Sequence, residues 1–317
     1  MYLRTPMQYY QEAIALGSKT GISLVSKAPK IQVESLFRSL WGKIFIFERQ
    51  FSRFLPGSEL SIFNNNAGTK QTITPSFKAL LKAAREMAVE TDGLYNPFIL
   101  PALQLSGYVR SRVPGRELDA VNDYSKRSIS TIDKLEIGKD WAKIPYGTAI
   151  DLGGCGKGYL ADQLRGVLTG IISGYWLSFG GDILVGGRDE HGDKWNIGIQ
   201  SAFDQTREVA RLFIDNPSGV ATSGITVHQG KKNGKSWHHL IDPKTAKPAR
   251  TDILLSTVYA NTTLRADVLA GCAVILGSKK GLPFLEKQGV KSALFQCRSA
   301  SQEPKLVYYG NDIIINN

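Results

Sequence analysis

The chain has 317 residues, 42% of them hydrophobic and 21% charged, which is the composition of a globular protein with a sizeable core. No run approaches the ~18 apolar residues of a membrane-spanning helix, and Cys155, Cys272 and Cys297 are too dispersed for a disulfide framework or a structural zinc site. The formal charge of +11 comes from scattered lysines and arginines whose densest group, Lys231, Lys232 and Lys235, is mixed with glycine and asparagine; no nucleic-acid-binding motif accompanies it, so nucleic acid is set aside as a partner.

The N-terminal stretch MYLRTPMQYYQEAIALGSK lacks the basic start and apolar centre of a signal peptide, which points to a cytoplasmic location. Gly17 to Ser26 reads as a strand. Ile31 to Ser52 reads as a helix, with Val33, Leu36, Phe37, Leu40, Trp41 and Ile44 at helical spacing. Thr74 followed by Pro75 opens another helix, which runs through Leu80, Leu81, Ala84 and Met87 to a stop at Gly93. The first third is therefore expected to be mainly helical.

Val113 to Arg127 is polar and carries proline, glycine and mixed charge, so it reads as an exposed connection. The segment KLEIGKDWAKIPY carries two short apolar runs around Gly138, Lys139 and Asp140, a hairpin signal. Further strands are expected at Tyr175–Phe179, Trp195–Gln200, Val209–Ile214, Ile253–Tyr259, Ser292–Gln296 and Lys305–Tyr308. Helices are expected at Gly158–Leu168, Thr263–Leu276 and Lys280–Lys287. The mixture lacks a regular βαβ alternation and predicts an α+β fold, with a mixed or antiparallel sheet core flanked by helices. We expect one domain over residues 1–317, with a helix-rich lobe over about 1–112 and a sheet-rich lobe over about 128–317.

Several segments carry chemistry. AIDLGGCGKGYLADQL sets Asp151 before a glycine run and places Lys157 where a helix begins. Glycines admit a bound group close to the backbone and free N–H groups at a helix start favour an anion, although a glycine turn packing helix on sheet reads the same way. The spacing matches neither a Walker loop nor a Rossmann fingerprint. LSFGGDILVGG ends a strand at Gly180 and Gly181, followed by Asp182, and reads first as a tight turn. GVATSG, Gly219 to Gly224, suits amide contacts to a phosphate or a planar ring, or a strand-end turn.

HHLIDPKTAKP holds two of the four histidines beside an Asp-Pro turn. An imidazole there could take a proton from an attacking hydroxyl, or simply bond to backbone at a strand end. LRADVLAGCAVILG sets Asp267 at the start of an apolar helix. A carboxylate packed there needs a partner or a cation, unless it serves the helix dipole.

In this order, LGSKTGISL, SRFLPGSELSIFN, GLYNPFILPALQLSGY, IDLGGCGKGYLAD, LSFGGDILVGG, GVATSG, HHLIDPKTAKP and ADVLAGCAVILG resemble the ApbE family of FAD:protein FMN transferases over most of the chain. The resemblance implies magnesium-dependent cleavage of FAD as substrate, release of AMP, and esterification of FMN to a threonine or serine of a target flavoprotein. It implies that Asp151 and Lys157 contact FAD, with Lys157 on phosphate. Leu16, Gly181, Thr222, Ser223 and Gly224 would border the flavin nucleotide.

The resemblance also implies that the carbonyl of Gly156 and the carboxylate of Asp267 reach magnesium, that His239 lies near the acceptor hydroxyl, and that Asp242 orders the same loop at the nucleotide. The chain departs from the family pattern at several positions. Gly271 stands where a metal-binding threonine is usual, and Asn96, Pro97 and Phe98 replace Asp-Pro-Thr. Leu16 replaces methionine, Ala246 replaces glycine, and Cys155 and Gly156 replace an apolar residue and an alanine. Two other functions fit the same pattern: hydrolysis of FAD to FMN and AMP, and non-catalytic carriage of FAD.

Overall fold

The computed structural model describes residues 5–111, 122–168, 170–299 and 304–316. In chain order, β1 (Met7–Ala15) and β2 (Ser18–Ser26) are followed by α1 (Lys30–Phe51), α2 (Glu59–Asn65), β3 (Gln71–Thr72), α3 (Pro75–Glu90) and α4 (Leu100–Ser106). Next come β4 (Glu136–Ile137), β5 (Trp141–Lys143), α5 (Gly153–Arg165), β6 (Ile172–Phe179), β7 (Asp182–Gly187), β8 (Trp195–Gln200), β9 (Glu208–Ile214) and β10 (Ser218–Gly224). The remainder comprises β11 (Gln229–Lys232), β12 (Lys235–His238), β13 (Ile241–Asp242), β14 (Lys247–Pro248), β15 (Ile253–Ala260), α6 (Thr263–Leu276), α7 (Ser278–Lys287), β16 (Ser292–Cys297), β17 (Lys305–Tyr309) and β18 (Ile313–Ile315).

The centre is an eight-stranded antiparallel sheet in the order β1-β2-β6-β7-β10-β15-β16-β17. Side chains alternate between its faces, as period-two geometry requires. Ile22 and Leu24 of β2, with Tyr175, Leu177 and Phe179 of β6, pack against α1 and α5 through Val33, Phe37, Leu40, Ile44, Leu160 and Leu164. Val258, Ala293 and Phe295 continue that face onto α6 and α7. On the opposite face Val25, Val185, Val220 and Leu294 meet a small three-stranded sheet, β18-β9-β8, through Trp195, Ile199 and Leu212. Outside α5, a third cluster joins α2 and α3 to the β3-β5-β4 sheet through Phe63, Phe77, Leu80 and Ile144.

The expected fold class is found, with differences in detail. The first third holds an unforeseen strand, β1, and α5 begins at Gly153 rather than Gly158. The glycine run is therefore the first turn of the helix. Its start is organised by Asp151, whose Oδ1 accepts the Gly153 N–H at 2.8 Å. Gly158 is needed because a Cβ there would come within 2.7 Å of the Thr263 carbonyl and 2.8 Å of Leu264 Cα. The connection expected over Val113–Arg127 lies, up to residue 121, outside the described residues. Among the described residues no helix is long and apolar enough to cross a membrane.

Candidate active site

A cavity of about 780 Å³ opens between α1, α5, α6 and the ends of the central strands, within the size range of small-molecule sites. Leu16, Asp151, Gly156, Lys157, Gly181, Thr222, Ser223, Gly224, His239, Asp267 and Gly271 all line it. Of the residues expected to bind cofactor or metal or to act in the reaction, Asp242 is outside the lining. Its Oδ1 accepts the Lys244 N–H at 2.9 Å and its carbonyl accepts the Ala246 N–H at 2.9 Å, so it builds the turn that follows His239.

Two hairpin turns, a strand end and helix starts supply the walls. Leu16 and Gly17 join β1 to β2 with φ of 54° and 72°, the left-handed pair of a tight hairpin turn, and Leu16 is held in a conformation that favours glycine. Gly180 and Gly181, with φ of 69° and 105°, make the corresponding turn between β6 and β7. Thr222, Ser223 and Gly224 are the last residues of β10, and Thr222 Oγ1 bonds to Thr257 Oγ1 at 2.9 Å on the neighbouring strand.

Asp151 is held on three sides. Its N–H donates to the Pro97 carbonyl at 2.7 Å, Oδ1 takes the Gly153 N–H, and Oδ2 pairs with Arg53 Nε at 2.9 Å in nearly complete burial. Arg53 in turn donates to the Tyr108 carbonyl at 3.2 and 3.3 Å, and its guanidinium carbon lies 4.3 Å from the Phe54 ring centre and 4.6 Å from that of Tyr108. The carboxylate charge is thus already matched by Arg53, a residue the sequence reading did not single out. Its chemical use is to fix the start of α5 at the cavity wall.

Lys157 Nζ forms a close ion pair with Asp182 Oδ2 and donates to the Phe179 carbonyl at 3.3 Å. Burial works against its charge, but Asp182 and then Asp267 outweigh it and hold the ammonium above its ordinary pKa. The cation therefore persists at neutral pH, with 30% of the side chain exposed to the cavity. Asp267, in the second turn of α6, accepts the Gly158 N–H at 3.3 Å. Burial, then the charge of Asp182, pushes its carboxyl well above the usual carboxylate range, with Lys157 opposing.

His239 also lines the cavity. Its ring packs edge-on to His228 at 5.0 Å between centres and to Tyr108 at 6.3 Å, and the backbone N–H of His239 donates to the His228 carbonyl at 3.0 Å. Burial, reinforced by His228 and His238, lowers its pKa to about 3, so the ring is neutral. Nδ1 is buried and has no hydrogen-bond partner among the described residues. His238 is turned away and bonded through Nε2 to the Ala249 carbonyl at 3.0 Å. His228, which also lines the cavity, gave no sequence signal beyond being a histidine.

The donor set fits magnesium. A buried carboxylate with a single backbone donor, Asp267, faces the cavity beside Gly156, and magnesium is commonly held by one or two carboxylates with substrate phosphates and water completing its shell. Among the described residues no group of three or more His, Cys, Asp or Glu side chains converges, so no all-protein metal cage is built. Gly271 lies one turn beyond Asp267 on the same face of α6. A Cβ there would sit 3.7 Å from Ser223 Oγ and 3.8 Å from Leu240 Cδ2, in ordinary contact.

The sequence profile of the ApbE family matches residues 16–295. An FAD:protein FMN transferase of Treponema pallidum is 26% identical over 305 residues, covering 91% of this chain and 84% of that protein. One from Haemophilus influenzae is 26% identical over 278 residues, covering 85% and 78%. The crystal structure of the flavinyl transferase ApbE of Pseudomonas stutzeri, in apo form, superposes with a TM-score of 0.79 at 24% identity, covering 98% of this chain and 96% of that one. The ApbE protein of Thermotoga maritima gives 0.78 at 22% identity, covering 95% and 96%. These structural likenesses establish the fold.

Proposed function

Because the chain belongs to the ApbE family, we propose that it transfers FMN from FAD to a threonine or serine hydroxyl of a target flavoprotein and releases AMP. The observation that carries the reading is the convergence in one cavity of a charged lysine, a glycine-rich helix start, a buried aspartate and a neutral histidine, drawn from separate segments between Gly153 and Asp267.

Each residue has a task set by its surroundings. Lys157 offers a fixed positive charge that suits the pyrophosphate, and the glycines of the first turn of α5 let it approach the backbone closely. The Arg53–Asp151 pair braces that turn. His239 Nδ1, neutral and unengaged, is the atom available to take the proton of the acceptor hydroxyl. The hydroxyl oxygen then bonds to the FMN phosphorus, and the bond from that phosphorus to the bridging oxygen breaks, leaving its electron pair on AMP.

The proton reaches a base whose burial disfavours the imidazolium, so negative charge on the bound pyrophosphate is what stabilises the protonated ring. Magnesium, for which Asp267 and the Gly156 carbonyl would be the protein donors, supplies charge neutralisation at the pyrophosphate.

The test is incubation with FAD, magnesium and a flavin-acceptor domain, followed by acceptor mass and free AMP. A gain of one FMN on the acceptor with matching AMP is the expected result. AMP without adduct would replace transfer with hydrolysis, and retained intact FAD would leave a carrier.

A further inference from the structure

The Gly180–Gly181 turn does more than reverse the chain. It joins β6 to β7 so that Phe179 and Asp182 are directly opposite each other in the ladder. Both touch the same atom: the Phe179 carbonyl accepts from Lys157 Nζ at 3.3 Å, and Asp182 Oδ2 is its ion-pair partner. Asp182 is 2% exposed, whereas Lys157 keeps 30% of its side chain toward the cavity. The turn is wedged in place, since a Cβ on Gly180 would come within 2.7 Å of Ser18 Cβ and 3.9 Å of Lys157 Nζ.

We propose that Asp182 is the positioning residue for Lys157, pinning its ammonium, together with the Phe179 carbonyl, at the point of the cavity where a pyrophosphate is held. The inference rests on the FAD reading for the identity of the ligand, but the pairing itself does not. A lysine stem has four rotatable bonds, and fixing it in the free protein removes part of the ordering cost that phosphate binding would otherwise carry. The second carboxylate also has an electrostatic use. Without Asp182, Asp267 becomes the remaining acid acting on Lys157, and the ammonium is expected to turn toward it and away from the phosphate.

A double-mutant cycle tests this, with Asp182→Asn, Lys157→Met and the two combined, and with FAD and riboflavin as probes in binding titrations. Riboflavin carries the ring without phosphates. Asp182→Asn is expected to weaken FAD about tenfold or more, leave riboflavin within about twofold, and have no further effect once Lys157 is methionine. An equal loss of riboflavin affinity would overturn the proposal, as would an undiminished effect in the Lys157→Met background. Equal affinity of the unsubstituted protein for FAD and riboflavin would count against the functional reading instead. In that event the urea midpoints of the same four proteins decide the pairing: non-additive losses uphold it and additive losses overturn it.

Discussion

The two carboxylate oxygens of Asp162, on α5, accept the backbone N–H groups of Thr263 and Leu264, the first two residues of α6, each at 2.9 Å. A helix start leaves such donors without intrahelical partners, and here a neighbouring helix supplies them. Gly158 brings the helices close enough for this, and the two bonds fix the first turn of the helix that carries Asp267. Asp162→Ala is expected to cost about 1–2 kcal/mol of stability, read from urea unfolding, and to weaken magnesium binding in the same variant. An unchanged midpoint would sink the cap.

Asp267 sets function against stability. Its folded-state carboxyl is raised by burial and by Asp182, so the stability it contributes is present below the unfolded value near 4 and is lost as pH rises through the folded value. Ionising this buried carboxyl burdens the metal-free protein. Asp267→Asn should therefore raise the thermal midpoint by a few degrees while abolishing magnesium-dependent turnover. A lower midpoint with turnover retained would contradict both parts.

His239 is expected to remain neutral across the working range, because its pKa lies at about 3. The base form is lost only as pH falls through that value. The ring resonance of His239 should then hold still in NMR titration from pH 8 to 5, and a midpoint near 6.5 would refute the buried neutral ring. His239→Ala should lower transfer by about 10²–10⁴-fold with FAD affinity retained.

A Cβ at Gly271 meets only ordinary contacts, and a threonine hydroxyl there would share a helix face with Asp267. Gly271→Thr should tighten magnesium binding, measured calorimetrically in the presence of ADP. Unchanged affinity would mean that the site completes its shell without that hydroxyl.

Ala246 has a φ of 56° in the turn after Asp242, a left-handed conformation that costs a residue with a Cβ about 1 kcal/mol. Ala246→Gly removes that strain and adds freedom to the unfolded chain, which offsets part of the gain. A rise in the urea midpoint worth about 0.5–1 kcal/mol is expected, and a fall would show that the turn prefers alanine.

What the sequence made legible was what repeats or clusters. The stripe Val33, Phe37, Leu40 and Ile44 marked α1, and the glycine segments marked the cavity walls. β1 escaped because MQYYQEAIA lies at the sheet edge with most of its residues exposed, so it shows no apolar alternation. Arg53 and Asp162 escaped for another reason. Each acts as one side chain on a partner far along the chain, and no local pattern records a long-range ion pair or cap. The resemblance implies Asp242 at the nucleotide, whereas in the structure its oxygens accept the Lys244 and Ala246 N–H groups and build the turn after His239.

The strand order also carries a kinetic consequence. β2 ends at Ser26, but its inner neighbour β6 begins only at Ile172. The hairpin β1–β2 can fold early against α1, which covers Ile22 and Leu24 with residues that follow directly in the chain. Its inner hydrogen-bonding edge cannot close until about 150 more residues have been made, on the order of ten seconds of synthesis. For that interval the ribosome-bound chain presents an open strand edge, the kind of surface on which two nascent chains pair wrongly. The first 51 residues are accordingly the segment where a chaperone has the most to protect.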